Sequence, residues 1–113
     1  SYSSFGAKIG EGSAVMQGSF INTDSVIGTN CIINSNASID HDCLIKDHTH
    51  ICPGVNIAGG VTVGENCWIG IGTKIIENIK IGNNVLIGAG SVVTKDCKKK
   101  KVYFGNPAKS KKV

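Results

Sequence analysis

Three histidines and the acids beside them carry most of the chemistry this chain can offer. His41, His48 and His50 fall inside IDHDCLIKDHTHICPG, residues 39–54, and they are all the histidines of the 113 residues. His41 stands between Asp40 and Asp42. A carboxylate beside an imidazole orients the ring and raises its basicity, which is the make-up of a general base near neutral pH. Three histidines with two close together also admit a zinc site. His48, next to Asp47, is read as an outward-facing turn residue. Which chemistry holds depends on the elements that position the rings.

Those elements follow from a period. From Ile9 to Val93 every sixth residue is Ile or Val, 15 positions without an insertion. The residue four places later is nearly always small or β-branched, as at Ser25, Ala37, Thr49 and Val61. A period of six suits neither an α-helix nor a series of hairpins. It suits short strands joined by turns, each hexapeptide forming one side of a parallel β-helix with the ladder residue inward. Three sides make an 18-residue coil, so residues 9–98 make five coils, stacked about 4.8 Å apart. The predicted fold class is all-β: a β-helix domain over residues 1–98, then a short basic tail over 99–113. The ladder replaces an aromatic core, since the chain is 41% hydrophobic but 5% aromatic. Each fully buried Ile contributes on the order of 1.5–3 kcal/mol.

Residues 18 apart stack on one side. His41 therefore lies beneath Gly59 and above Thr23, and His50 lies beneath Trp68. Gly59 has no side chain, so space opens beside the His41 ring. His41 and His50 are nine residues apart, half a coil, and belong to different sides. A second subunit must bring the second histidine if both serve one site, and side-to-side trimers of prisms would do so. Four of the five cysteines, Cys31, Cys43, Cys67 and Cys97, occupy the small inward position and are read as buried small side chains. Cys52 is off that position.

Charge and composition narrow the class. Residues 1–94 hold four Lys and seven acids, and residues 95–113 hold eight Lys and one Asp. The formal net charge of +4 belongs to the tail, and there is no Arg, so any anion contact falls to Lys as a point charge. The acidic body, and a Lys run without interleaved aromatics, argue against a nucleic-acid partner. A tail folded over the last coil would bring Lys98–Lys101 toward an anionic ligand instead. No apolar run approaches the ~20 residues of a membrane span, and no signal-peptide pattern opens the chain. An odd cysteine count points to a reducing, cytoplasmic setting rather than a disulfide framework.

The hexapeptide pattern resembles that of left-handed β-helix acyltransferases over nearly the whole chain. The left hand comes from this resemblance alone, since parallel crossovers are generally right-handed. The stretch NSNASIDHDCLIKDHTHICPGVNIAGGVTVGENCWIGIGTKI, with the closing YFGNPAK, is similar to sugar acetyltransferases that include sialic acid O-acetyltransferases and UDP-4-amino-sugar N-acetyltransferases. The resemblance implies that His41 is the general base and Asp42 the acid that raises its basicity. It implies that His50 contacts acetyl-CoA, with backbone contacts around Gly59, Ile71 and Ala89, and that Asn34 is a helper. It implies a cytoplasmic homotrimer that moves acetyl from acetyl-CoA to an amino or hydroxyl group of a sugar or nucleotide sugar by direct attack, without a metal. Members usually begin with a nucleotide-binding-like domain that is absent here. The chain is therefore expected to be the catalytic part of a longer enzyme, binding CoA but handling the acceptor weakly. Two other classes compete. A gamma-type carbonic anhydrase-like zinc enzyme would join His48 and His50 to a histidine of another subunit. A non-catalytic β-helix assembly module would bind no CoA.

Overall fold

The computed structural model describes residues 2–3 and 6–111. Among these there are 18 strands and no helix. Strands one coil apart pair in parallel, so Ile21 sits beside Ile39, Ile39 beside Ile57 and Ile57 beside Ile75. The result is a prism of 39 × 22 × 21 Å with three sheets as its faces. Face one holds Tyr2–Ser3, Phe20–Ile21, Ser38–Ile39, Asn56–Ile57, Lys74–Ile75 and Val92–Val93. Face two holds Lys8–Ile9, Val26–Ile27, Leu44–Ile45, Thr62–Val63 and Lys80–Ile81. Face three runs from Ala14–Val15 through Ile32–Ile33, His50–Ile51, Trp68–Ile69 and Leu86–Ile87 to Val102–Gly105 and Ala108–Lys111.

The ladder residues are the core. Ile21, Ile33, Ile39, Ile45, Ile51, Ile69 and Ile87 are fully buried, while Ile9 at the open first coil is 42% exposed. The second inward position is small for a further reason that the sequence alone did not show. Where it is Ser, Thr or Cys, the side chain in most cases bonds a carbonyl of the next coil: Ser25 Oγ donates to Asp40 O at 2.5 Å, Thr49 Oγ1 to Gly64 O at 2.7 Å, and Cys43 Sγ to Ala58 O at 3.1 Å. Ser, Thr and Cys are interchangeable there because each is small and each can donate. All five cysteines, Cys52 included, are free and buried. Burial raises the thiol pKa of Cys43, Cys52 and Cys67, and burial with Asp96 and Cys67 nearby pushes Cys97 up to about 11. Such thiols are poor nucleophiles.

A second period of six marks the corners. Positive φ recurs at Asp24, Asn30, Asn36, Asp42 and His48, at Gly54 and Gly60, and on to Asn84 and Gly90. This left-handed conformation costs an L-residue roughly 1–2 kcal/mol, which Gly avoids and Asn or Asp tolerates. Most Gly, Asn and Asp residues thus sit where the chain turns from one face to the next.

The tail differs from expectation. Val102 and Tyr103 extend face three in parallel with Leu86 and Ile87. Tyr103 is buried over Ile87, and its hydroxyl accepts from Lys98 N at 2.7 Å. Asn106–Pro107 does not end regular structure but turns the chain back, through a cis bond, into an antiparallel pair of Val102–Gly105 with Ala108–Lys111. The hexapeptide period is lost because a tyrosine takes a ladder place and a lysine loop replaces one turn. Among the described residues no helix is long and apolar enough to cross a membrane.

Candidate active site

His41 sits in the corner between Ser38–Ile39 of face one and Leu44–Ile45 of face two. Asp42 follows it with φ 56°, one of the left-handed corner positions. That conformation brings Asp42 Oδ2 to 3.0 Å from His41 Nδ1. An ionised carboxylate only accepts, so Nδ1 carries the proton and Nε2 presents a lone pair. Asp40 has a different task. Its Oδ1 accepts from the His41 backbone N–H at 2.8 Å and from Asn22 Nδ2 at 3.0 Å. One acid anchors the backbone and the other orients the ring. The two side chains are 60% and 65% exposed, so the pair adds little to stability and stays accessible.

Gly59 lies directly over the ring. A Cβ there would stand 2.6 Å from both Nε2 and Cε1 of His41. Its φ is not left-handed, in contrast to Gly60 at φ 72°. Gly60 is a corner glycine, whereas Gly59 is one because the imidazole needs the room. The cleft around it has a volume of about 460 Å³ and is lined by Asp40, His41, Asp42, Gly59, Glu77 and Asn78.

A second cluster lies on face three. Asn34 Nδ2 is 3.2 Å from His50 Nε2. The amide is oriented by its own Oδ1, which accepts from Ser35 N at 2.8 Å. Nε2 of His50 therefore accepts, and Nδ1 carries the proton. The Trp68 ring meets His50 at an angle of 60° with centroids 4.4 Å apart, and burial lowers the His50 pKa below its ordinary value. His50 is thus a neutral ring that offers an N–H. Asn34, expected from the resemblance as a helper to the base, stands beside His50 within one chain. His48 is exposed in the corner between faces two and three at φ 61°. No group of three or more His, Cys, Asp or Glu that could hold a metal ion comes together among the described residues.

Corner backbone explains the remaining candidates. The N–H groups of Ser35 and His41 donate to the Asn or Asp just before them. Gly59, Ile71 and Ala89 follow Ala58, Gly70 and Gly88, which lack a side-chain acceptor. Their N–H groups have no acceptor among the described residues. The same donor is open at other corners, Glu77 among them. Ile71 and Ala89 lie one above the other in the corner between faces three and one, both exposed. A single chain therefore presents two separate groups: His41, Asp42 and Gly59 at one corner, and Asn34, His50, Ile71 and Ala89 on and beside face three.

Known proteins share this fold. The bacterial transferase hexapeptide (six repeats) family matches residues 60–95. A crystal structure of perosamine N-acetyltransferase from Caulobacter crescentus, a variant with a histidine replaced by asparagine in complex with CoA and GDP-perosamine, is 41% identical with a TM-score of 0.97. The match covers 98% of this chain and 53% of that one. The chain belongs to the hexapeptide-repeat acyltransferases. The acetyltransferase domain of PglB from Neisseria gonorrhoeae, in complex with acetyl coenzyme A, is 35% identical with a TM-score of 0.93, covering 96% of this chain and 54% of that one. WeeI from Acinetobacter baumannii is 26% identical with a TM-score of 0.75, covering 94% and 55%. The chain thus spans about half the length of these structures. A TM-score of 0.97 also means that the coil winds with their hand, because a mirror-image coil does not superpose. No curated protein sequence matches.

Proposed function

We propose that this chain carries the acetyl-transfer site of a nucleotide-sugar N-acetyltransferase, with acetyl-CoA as donor. One observation carries the reading: His41 Nε2, left with its lone pair by Asp42, faces the room that Gly59 leaves open. The neighbours' complexes with CoA, acetyl coenzyme A and GDP-perosamine support the substrate classes. The open N–H groups of Gly59, Ile71 and Ala89 fit the carbonyl oxygens of a thioester and an amide-bearing pantetheine arm. The donor supplies an activated acetyl group. As the amine nitrogen bonds the thioester carbonyl carbon, His41 Nε2 accepts its proton and Asp42 stabilises the imidazolium that forms. The C–S bond then breaks, and CoA leaves as a thiolate that takes the proton back from the imidazolium. The Gly59 N–H is placed to hold the developing oxyanion. His50, neutral at Nε2 and protonated at Nδ1, offers one further donor.

The two groups become one site in a ring of copies, and we read the assembly as a homotrimer. Faces two and three turn apolar side chains outward: Val26 and Leu44 on one, Ile32, Trp68 and Leu86 on the other, each 37–48% exposed. Two different apolar faces on one molecule suit a head-to-tail contact, which closes into a ring when the rotation permits. With face two of one copy toward face three of the next, the His41 corner of the first approaches His50, Ile71 and Ala89 of the second. Five free, buried thiols agree with a cytoplasmic setting.

The test is acetyl transfer to GDP-perosamine and to UDP-4-amino sugars, followed as CoA release. His41→Ala is expected to lower kcat by roughly 10²–10⁴ with the assembly intact, and Asp42→Asn to cost less. Full activity in His41→Ala would end the assignment.

A further inference from the structure

Resting on that reading, we propose that the acceptor is held on face one of the copy that supplies His41, by Asn56, Lys74 and Glu77. In the proposed ring, faces two and three are turned toward neighbouring copies, which leaves face one as the approach to His41. A groove of about 590 Å³ lies there, lined by Phe20, Asn22, Ser38, Asn56, Lys74 and Glu77. It opens into the His41 cleft, since Asp40, Ala58 and Glu77 line both.

Its floor is preorganised. Asn56 Nδ2 donates to Ser38 Oγ at 2.6 Å. Lys74 Nζ donates to Asn56 Oδ1 and to Gly54 O, the latter at 3.2 Å. The relay crosses three successive coils and holds the lysine ammonium over the groove with one N–H to spare. Such a prefixed cation loses little freedom when a ligand arrives. Glu77 stands at the junction of groove and cleft, in the column above His41 and Gly59. Among the described residues it makes no hydrogen bond and no ion pair, Lys74 included.

A carboxylate beside the base, hydroxyl and amide groups along the floor, and one fixed ammonium match an amino sugar linked to a diphosphate. Glu77 receives the sugar's amino group as it enters and accepts a hydrogen bond from it once its ammonium form has given one proton to solvent, so that the neutral amine attacks and His41 takes the second proton. Ser38 and Asn56 meet the hydroxyls, and Lys74 meets the diphosphate. Lys serves here as a point charge.

The experiment compares wild type, Glu77→Gln and Lys74→Met, using GDP-perosamine and a UDP-4-amino sugar as acceptors. Each substitution is expected to raise the acceptor KM roughly five- to tenfold, with the acetyl-CoA KM unchanged. Competitive inhibition by GDP alone should weaken in Lys74→Met and persist in Glu77→Gln. An unchanged acceptor KM, or a parallel rise in both KM values, overturns the proposal, as does a lowered melting temperature without a KM effect. A wild-type protein that binds acetyl-CoA but neither acceptor also overturns it, while leaving the donor site standing. Absence of acetyl-CoA binding in calorimetry instead defeats the functional reading itself.

Discussion

Gly59 and Gly60 are adjacent, yet the structure asks different things of them. At Gly59 a methyl group would press on the His41 ring, which is exposed and can swing away. At Gly60 it would meet Asn78 in a left-handed corner. Gly59→Ala should therefore leave the melting temperature near wild type and depress kcat, whereas Gly60→Ala should cost about 1–2 kcal/mol of stability with kcat kept in the folded fraction. The reverse pattern in thermal melts and kinetics would refute the assignment. His50 gives a pH prediction. Its pKa is lowered by burial from 6.5, so on acidification the unfolded chain takes up this proton first. The contribution of His50 to stability is complete above pH 6.5 and is lost as pH falls from there through the lower native value. The stability difference between wild type and His50→Gln should shrink over that window, and an NMR titration of the ring should show a midpoint below 6.5. At this scale 18-residue arithmetic read from the sequence placed Gly59 over His41 and Trp68 over His50, as found. It could not separate Asp40 from Asp42, because both flank the ring in sequence and only the corner geometry aims one at Nδ1.

The strands of the coils are two residues long, too short to be stable apart from their stack, and only the last two, Val102–Gly105 and Ala108–Lys111, reach four. The Ile ladder was legible because burial repeats the same demand at every coil. The corners were legible only as turns; their second period of six was not, because Asn, Asp and Gly suit many kinds of turn until their shared left-handed φ is seen. His48 tests this account. It occupies a corner at φ 61° that Asn or Gly fills almost everywhere else. His48→Asn should raise stability by a few tenths of a kcal/mol, and His48→Val should lower it by about 1–2 kcal/mol. Ile45→Ala, in the ladder at 0% exposure, should cost more, about 2–5 kcal/mol. Denaturant titrations rank the three, and a neutral His48→Val would remove the corner argument. The C-terminal strands escaped the sequence reading because Tyr103 fills a ladder place out of period. What that end contributes is an edge cover: the backbone of Leu86–Ile87 is paired by Val102–Tyr103 instead of lying open.

For the whole molecule, the separation of His41 from His50 is the fact that assembly must explain. They occupy a corner and a face that do not adjoin on one prism, since face three meets faces one and two at the other corners. If a working site takes His41 from one copy and His50 from the next, inactive chains can repair one another. A His41→Ala chain keeps its His50, and a His50→Ala chain keeps its His41. Co-expressed in equal amounts, they form mixed rings in which about a quarter of the interfaces join two intact partners. Activity should return to about that fraction of wild type, although each variant alone is impaired. The ring itself should depend on the apolar faces. Leu44→Asp and Trp68→Asp, which lie 37% and 48% exposed on faces two and three, should each shift sedimentation toward single chains and remove activity together. Their prisms should stay folded, because neither side chain belongs to the buried ladder. A fully active single chain in the ultracentrifuge, or mixed chains no more active than their parents, would show that one prism is sufficient and that His50 serves some other purpose.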